Sequence, residues 1–257
     1  MPNTITATPE PGAVPPRVAL SVVWTGGTEV TVTRMDPDGR TRAVRLAEPA
    51  PIIGDVWVGY DYEPWFDQPV MYTATAGSTA ANSAEITLVV NQTWLRHPGI
   101  PSLSMVVDVQ GDGEPVRRVN RAVLEPLGRR TPIVVTDGRR KAKTSTITFR
   151  TYSQAEVDAL LAITDDVSVL LLNVPPAWGW GIVHQYMALG DLTETRTAPT
   201  AAWLPGRLWT APYAVVDRPA GGLQSQRTYA DVLTEAATYQ DLRTTYDTYS
   251  DLLTGAS

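Results

Sequence analysis

The feature that most constrains the fold is an alternation of apolar and polar side chains along residues 17–90. Successive side chains of a β-strand point to opposite faces of a sheet, so a period of two indicates strands that bury one face. About six such runs, separated by short Gly- or Pro-containing turns, follow one another in roughly 75 residues. This spacing predicts a β-sandwich, in which two sheets each bury one face.

The predicted strands of this region lie at residues 18–24, 29–34, 41–46, 57–62, 70–74 and 85–90. The pair Gly26-Gly27 predicts a hairpin between the first two strands, and an Asp-Pro-Asp-Gly turn at 36–39 connects the next two. Residues 60–64 place an acidic-Pro turn before the strand that carries Tyr72. This order resembles the fibronectin type III pattern, and the resemblance implies that Tyr72 is a core residue.

A second β-rich region follows a corner rich in Pro and Gly at residues 91–101. One helix is predicted at about 153–163, because Ser153 and Glu156 form a capping box ahead of apolar residues at helical spacing. The predicted strands of this region are 102–109, 132–138, 144–150, 167–174, 182–189 and 203–216.

These patterns predict a mainly β protein. Its four parts are a Pro- and Thr-rich N-terminal arm at 1–16, a fibronectin type III-like β-sandwich at 17–90, a second β-rich domain with one short helix at 91–222, and a C-terminal tail of short helical repeats at 223–257. The first domain is expected to fold on its own, because its alternating strands bury one face each without help from the rest.

The C-terminal tail repeats itself every ten residues, with Thr228, Thr238 and Thr248 each followed by Tyr, an acid two residues later and then an aliphatic residue. Each copy predicts a helix start with a Thr cap, and a straight helix would drift by about 80° per copy, which favours three short helices. Two interpretations are open: a frayed terminus, or a docking tail that orders against a partner chain. Docking is favoured because the repeated Tyr and aliphatic side chains need another surface to pack against. The candidate interface residues of the tail are Tyr229, Leu233, Tyr239, Leu242, Tyr249 and Leu252.

The net charge of −6 conceals a basic segment. Between Glu114 and Lys143, nine Lys and Arg residues stand against three acids, so the rest of the chain is markedly acidic. Opposite patches on one chain favour a head-to-side contact between identical subunits that closes into a ring. Arg139 and Arg140 are therefore predicted to meet an acidic face of a neighbouring copy. A nucleic-acid partner is the disfavoured alternative, because no nucleic-acid-binding motif accompanies these Lys and Arg residues.

No motif predicts an enzyme, a cofactor or a metal site. His97 and His184 are the two histidines, neither lies in a nucleophile elbow, and without Cys they do not form a zinc pattern. Asp165-Asp166 lacks the Gly-spaced acidic loop of an EF-hand. No apolar run approaches the roughly 20 residues of a membrane span, so no membrane insertion is expected.

Trp178 and Trp180 lie in a Pro- and Gly-rich loop at 175–181. Flat rings on such a loop either stack on a sugar ring or lie in a subunit contact, where Trp and Tyr are enriched. The subunit contact is the favoured prediction for these two residues.

Residues 126–140, 148–152, 170–175 and 216–222, together with the terminal repeat, resemble minor tail proteins from long-tailed phages of actinobacteria. The resemblance implies a structural protein of the virion tail tip, in a ring or adaptor between the tail tube and the receptor-binding apparatus. Its implied partners are copies of itself and other tail-tip and tail-tube proteins, and it implies no catalytic residues. The alternative is a carbohydrate- or receptor-binding module at the tail tip that contacts a host surface glycan. A cell-wall hydrolase has no motif in its support.

Overall fold

The computed structural model describes residues 3–26, 29–45, 52, 54–125, 127, 130–167, 169–196 and 206–221. Within these ranges the chain consists of antiparallel sheets and one α-helix, which confirms the mainly β class. The predicted repeat tail at 223–257, with its six candidate interface residues, lies outside the described residues.

Eight strands of the described chain form what we call the first unit. The strands β1, β2 and β5 form one sheet in that order, and the second sheet has the order β4-β3-β6-β7, with β8 also paired to β6. Their bounds are Thr4–Glu10 (β1), Arg17–Val23 (β2), Thr31–Met35 (β3), Thr41–Ala43 (β4), Val56–Asp61 (β5), Pro69–Ala76 (β6), Thr79–Asn82 (β7) and Ile86–Thr87 (β8).

The two sheets of the first unit enclose one hydrophobic core, and alternate residues of β2 and β6 point into it from opposite sheets. This inward parity is the one that the period-two pattern predicts. The buried side chains from these two strands are Val18, Leu20, Val22, Val70, Tyr72 and Ala74.

The predicted hairpin at Gly26-Gly27 is wrong. Strand β2 pairs with β1 and β5, whereas β3 pairs with β4 and β6, so the chain crosses from one sheet to the other between them. A glycine pair shows where the chain turns, but it does not specify which strand the next one will pair with. The predicted turn at 36–39 does join a hairpin, β3 to β4, with Gly39 at a φ of +76°.

The predicted N-terminal arm at 1–16 also requires a correction. Residues Thr4–Glu10 form β1, which pairs with β2 along its whole length, and Ile5 is buried in the core of the first unit. The prolines obscured this strand in the sequence, but β1 pairs with β2 alone, and such an edge position accepts proline.

Ten further strands belong to the second unit, and eight of them form one sheet with the order β10-β9-β15-β16-β18-β14-β11, in which β17 also pairs with β18. Part of the predicted corner at 91–101 is therefore a strand, β9. The bounds are Trp94–Arg96 (β9), Met105–Val106 (β10), Asp108–Asp112 (β11), Val119–Leu124 (β12), Ile133–Arg140 (β13), Thr144–Thr151 (β14), Val169–Asn173 (β15), His184–Leu189 (β16), Thr193–Arg196 (β17) and Arg207–Val216 (β18).

The large sheet of the second unit curls back on itself. Strands β10 and β11 stand at the two ends of the strand order, yet only Val107 separates them along the chain. The Val107 backbone N–H donates to the Thr93 carbonyl at 2.9 Å, beside β9. The two edges of the sheet are therefore brought together, which removes most of the free edge that an open sheet would present.

The predicted helix is confirmed as α1, Gln154–Asp166, which packs on the core of the closed sheet. Ser153 caps it, because its hydroxyl accepts a hydrogen bond from the Glu156 N–H at 3.2 Å. The Glu156 carboxylate accepts in turn from the Tyr152 N–H at 2.7 Å. The buried side chains of α1 are Val157, Leu160 and Ile163.

Candidate interaction surfaces

Strands β12 and β13 form a two-stranded hairpin that belongs to neither large sheet. We call its described residues 117–125 and 130–141 the hairpin arm. Every residue of β12 is exposed, and so are the side chains of β13 that the structure describes. The arm therefore projects from the second unit into solvent.

The base of the hairpin arm is fixed to the second unit. Val116 forms a bridge with Thr144, and Asp112 accepts hydrogen bonds from Lys143 at 2.6 Å and from the Tyr213 hydroxyl at 2.8 Å. Partial burial alone would raise the pKa of Asp112, but these donors and the Lys143 charge hold that pKa below its usual range. A β-bridge and an ion pair thus attach the arm to the second unit, although the arm itself is exposed.

The hairpin arm is apolar on both of its faces. Cross-strand partners share a face, so Leu124 and Ile133 lie on one face and Val123 and Val134 on the other. Their exposed fractions are 51%, 39%, 51% and 54%. A sheet with one solvated face alternates apolar and polar residues, whereas this hairpin does not. A lone two-stranded hairpin is only marginally stable in water. Packing of other side chains on its two faces would therefore stabilise the arm.

Cationic side chains surround the apolar part of the hairpin arm. Arg121 lies opposite Thr136, and Arg140 lies opposite Val119. Among the side chains that the structure describes, the ion pair of this region is Lys143 with Asp112, at the base, and no described carboxylate contacts the arginines of the arm. Arg139 and Arg140, predicted as interface residues, thus belong to an exposed positive surface on β13.

The two predicted tryptophans form an exposed pair. Trp178 ends a short 3-10 turn at Pro176–Trp178, and the rings of Trp178 and Trp180 meet edge to face with centroids 5.7 Å apart. Their exposed fractions are 43% and 40%. Gly179 and Gly181 have φ values of +68° and +70°, in the left-handed region that favours glycine, and this backbone presents both rings at the surface.

The seam between the two units is built around one buried carboxylate. Glu63 accepts hydrogen bonds from Arg45 Nε at 3.3 Å, Arg218 Nε at 2.9 Å and the Tyr186 hydroxyl at 3.0 Å. Glu63 is only 3% exposed. Because Tyr186 and Arg218 come from the second unit, Glu63 joins the two units through charge-assisted bonds.

The chain that follows β18 is held against the first unit. Arg45 donates to the Pro219 carbonyl at 2.8 Å and to the Gly221 carbonyl. Arg218 donates to the Ala43 carbonyl at 2.6 Å. The last described residues therefore lie on the first unit, shortly before residues 223–257, which we call the repeat segment.

A second buried ionic group lies within the first unit. Arg34 donates to Asp36 and to Asp61, and the Tyr72 hydroxyl donates to Asp61 at 2.9 Å. Burial alone would raise the pKa of Asp61, but the Arg34 charge and these hydrogen bonds lower it. Burial and the neighbouring Asp61 charge both raise the pKa of Tyr72.

Arg96 is buried in the seam, and no carboxylate of the described residues forms an ion pair with it. It donates to the Tyr62 and Pro16 carbonyls, and its guanidinium lies 4.4 Å from the Phe66 ring centre. Burial lowers the pKa of Arg96 to about 9, although nearby carboxylates oppose the shift. His184 stacks on Trp65 at 4.9 Å, and burial lowers its pKa well below 6.5.

His97 stabilises the corner between the two units. Its Nδ1 accepts from the Gly99 N–H at 3.0 Å and from the Ile100 N–H at 2.7 Å, so its proton resides on Nε2, which donates to Asp166 at 2.8 Å. Burial lowers the pKa of His97, although the hydrogen bond to Asp166 opposes the shift.

Sequence reasoning missed the buried ionic group of the first unit and the shape of the hairpin arm, although a signal existed for each. Arg34 has the same inward parity on β3 as the buried Val32, and a charge at such a position indicates a buried partner. In the arm, the loss of alternation around Leu124 and Val134 indicates a strand pair that is covered on both faces.

No protein-family model matches this chain, and no curated protein matches it. Among the described residues, no group of three or more His, Asp or Glu is arranged to hold a metal ion. The helix that the structure describes is too short and polar to cross a membrane.

Proposed function

We propose that this chain is a structural minor tail protein of a bacteriophage tail tip, which assembles as a ring or adaptor between the tail tube and the receptor-binding apparatus. The observation that carries the proposal is the hairpin arm, which is exposed, apolar on both faces and rich in arginines that no described carboxylate contacts. An exposed apolar surface of this kind marks a contact with another molecule. The acidic remainder of the chain supplies the complementary charge in a second copy.

The location of the family-like stretches supports the same proposal. Residues 126–140 include all of β13, and residues 148–152 lead from β14 into α1. Residues 170–175 include most of β15, and residues 216–222 include the segment held by Arg45. These stretches therefore lie in the arm, in the core of the second unit and at the seam. In the proposed role, the arm makes the assembly contact, the core of the second unit carries the arm, and the seam joins both to the first unit.

We further propose that the first unit is a sandwich of the fibronectin type III kind. Two antiparallel sheets over one core support this assignment, and so does the buried Tyr72 on β6, which follows the acidic-Pro turn. In the proposed role, this unit is a rigid spacer that carries the second unit and its arm.

The proposed function predicts that the purified chain self-associates into a closed species of defined mass. Sedimentation over a range of concentrations measures that mass, and the expected species contains several copies. Antibodies against the chain should label the tail tip of the phage particles that carry it in electron micrographs. A strict monomer at high concentration, or label on the capsid, would contradict the proposal.

A carbohydrate- or receptor-binding module is the second candidate, and the exposed pair of Trp178 and Trp180 favours it. One ring face would stack on a sugar while the neighbouring ring closes the side of the site. Binding of cell-wall polysaccharide by a monomer, abolished in Trp180→Ala but retained in the control Tyr152→Ala, would support this candidate. Tyr152 is a comparably exposed aromatic residue, at 50%.

A further inference from the structure

We propose that the hairpin arm is the docking site for the repeat segment, residues 223–257, of a neighbouring copy of this chain. The inference rests on the self-assembly part of the proposed function. It identifies the acidic surface that the arm contacts and the partner that the repeated Tyr and Leu side chains require.

The hairpin arm provides two apolar faces with a cationic margin. Leu124 and Ile133 form one face, and Val123 and Val134 form the other. Strands β12 and β13 also have free outer edges, since each pairs only with the other within the described chain. An occupant of this surface needs several large apolar side chains, carboxylates for the arginines and enough length to reach both faces.

The repeat segment has this composition. It contains five acids against two bases, whereas the basic segment of 114–143 contains nine bases against three acids. Its acids Asp231, Asp241 and Asp251 recur at the same ten-residue spacing as its tyrosines. Each repeat therefore offers a Tyr and a Leu for the apolar faces and an Asp for the arginines of the arm.

The described chain leads away from the base of its own arm before the repeat segment begins. At the base of the arm, the Val215 N–H of β18 donates to the Lys143 carbonyl at 2.9 Å. A few residues later, Arg45 holds Pro219 and Gly221 on the first unit. The repeat segment thus starts from the first unit and not from the base of its own arm. A contact between the arm of one copy and the tail of the next is heterologous, and a heterologous contact generates a ring when the rotation between the copies closes.

Disulfide trapping tests this contact directly, because the 257-residue chain contains no Cys. Single variants Val134→Cys and Leu242→Cys are mixed under mild oxidation. We expect mixed disulfide dimers to form at least tenfold more than in a matched mixture of Val58→Cys with Leu242→Cys. Val58 is an exposed valine of the first unit, at 72%. Equal yields in the two mixtures would overturn the proposal.

The doubly substituted chain Val134→Cys/Leu242→Cys separates the neighbouring copy from the same copy. A disulfide between copies, whose yield falls on dilution, is the expected result. A disulfide within one chain, with a yield independent of dilution, would overturn the assignment to a neighbour.

Charge reversal provides a second measurement. The arm variant is Arg121→Glu/Arg139→Glu/Arg140→Glu, and the tail variant is Asp231→Lys/Asp241→Lys/Asp251→Lys. Each variant alone should associate about tenfold or more weakly than the unaltered chain at low salt, and their mixture should regain association. The control Arg196→Glu, at an exposed arginine outside the arm, should associate normally.

The unaltered chain distinguishes the two possible failures. If it remains monomeric at high concentration, the self-assembly part of the proposed function fails. If it assembles and both charge-reversed variants assemble as strongly, only the arm-to-tail contact is refuted.

Discussion

Folded proteins usually bury apolar side chains and expose charged ones. The seam departs from this rule by burying charged side chains, and the hairpin arm departs from it by exposing apolar ones. The seam buries Glu63 and Arg96, each at most 3% exposed, whereas the arm exposes Val134 and Leu124 by half or more. In the seam, both sides of every contact come from this chain, and charge-assisted bonds compensate for the removal of charges from water. In the arm, the described chain provides only one side.

The comparison shows how to distinguish a completed interface from an incomplete one. Buried charges with their partners present, such as Glu63 with Arg218, are an internal joint. Exposed apolar pairs beside arginines that no described carboxylate contacts, such as Val123 with Val134 near Arg121, are typical of a surface that another molecule covers. Substitutions in the seam should therefore affect folding, and substitutions in the arm should affect association.

The largest effect is expected from Glu63→Gln. It removes the carboxylate shared by Arg45, Arg218 and Tyr186, so the free energy of unfolding should fall by about 3–5 kcal/mol. Urea denaturation measures the loss. The matched control Glu85→Gln, at an exposed position of the first unit, should change it by less than about 0.5 kcal/mol. Equal losses would show that the seam does not depend on Glu63.

A pair of leucines contrasts the core with the arm. Leu170→Ala, at a fully buried residue of β15, should cost about 2–5 kcal/mol of unfolding free energy because it leaves a cavity. Leu124→Ala, in the arm, should cost less than about 0.5 kcal/mol in the monomer and weaken self-association instead. Thermal unfolding of dilute protein, together with sedimentation, measures both quantities. A large loss of monomer stability in Leu124→Ala would mean that the arm packs on its own chain.

The pH dependence of stability should involve His97. Because the folded-state pKa of His97 lies below 6.5, its contribution is fully present above pH 6.5 and is lost as the pH falls below that value. His97→Asn keeps an acceptor for the Gly99 and Ile100 N–H groups but loses the Asp166 bond, worth about 1 kcal/mol. Urea midpoints at pH 7.5 and 5.5 should therefore differ less in the variant than in the unaltered chain. An unchanged difference would assign the acid sensitivity to other groups.

The smallest effect on folding is expected from Arg139→Glu/Arg140→Glu. Both residues lie on the exposed strand β13, so the melting temperature of the monomer should be nearly unchanged. Assembly at low salt should be slower, and its dependence on salt should change, because charges at an interface rim mainly steer association. Assembly at the unaltered rate in low salt would show that these arginines serve another purpose.

The elements with a local cause were predictable from the sequence. Helix α1 follows from Ser153, Glu156 and the apolar spacing behind them, and strands β2 and β6 follow from their alternation. The pairing of β2 with β1 instead of β3 was not predictable, because local turn chemistry around Gly26 does not specify which sheet a strand joins. The Trp178 loop and the basic segment were identified as candidate surfaces, but the two-faced geometry of the arm was not.

The sequence by itself determined the mainly β class, the single described helix, the separation of charge along the chain and the repeat at its C-terminal end. These properties depend on residue types and on spacings of a few residues, so they follow from the local sequence. The tertiary structure alone decided that Glu63, Arg45 and Arg218 meet, because they lie far apart in the chain and only folding brings them together. It also decided that Val123 and Val134 remain exposed, because exposure depends on which other elements pack on the hairpin and not on the hairpin's own residues.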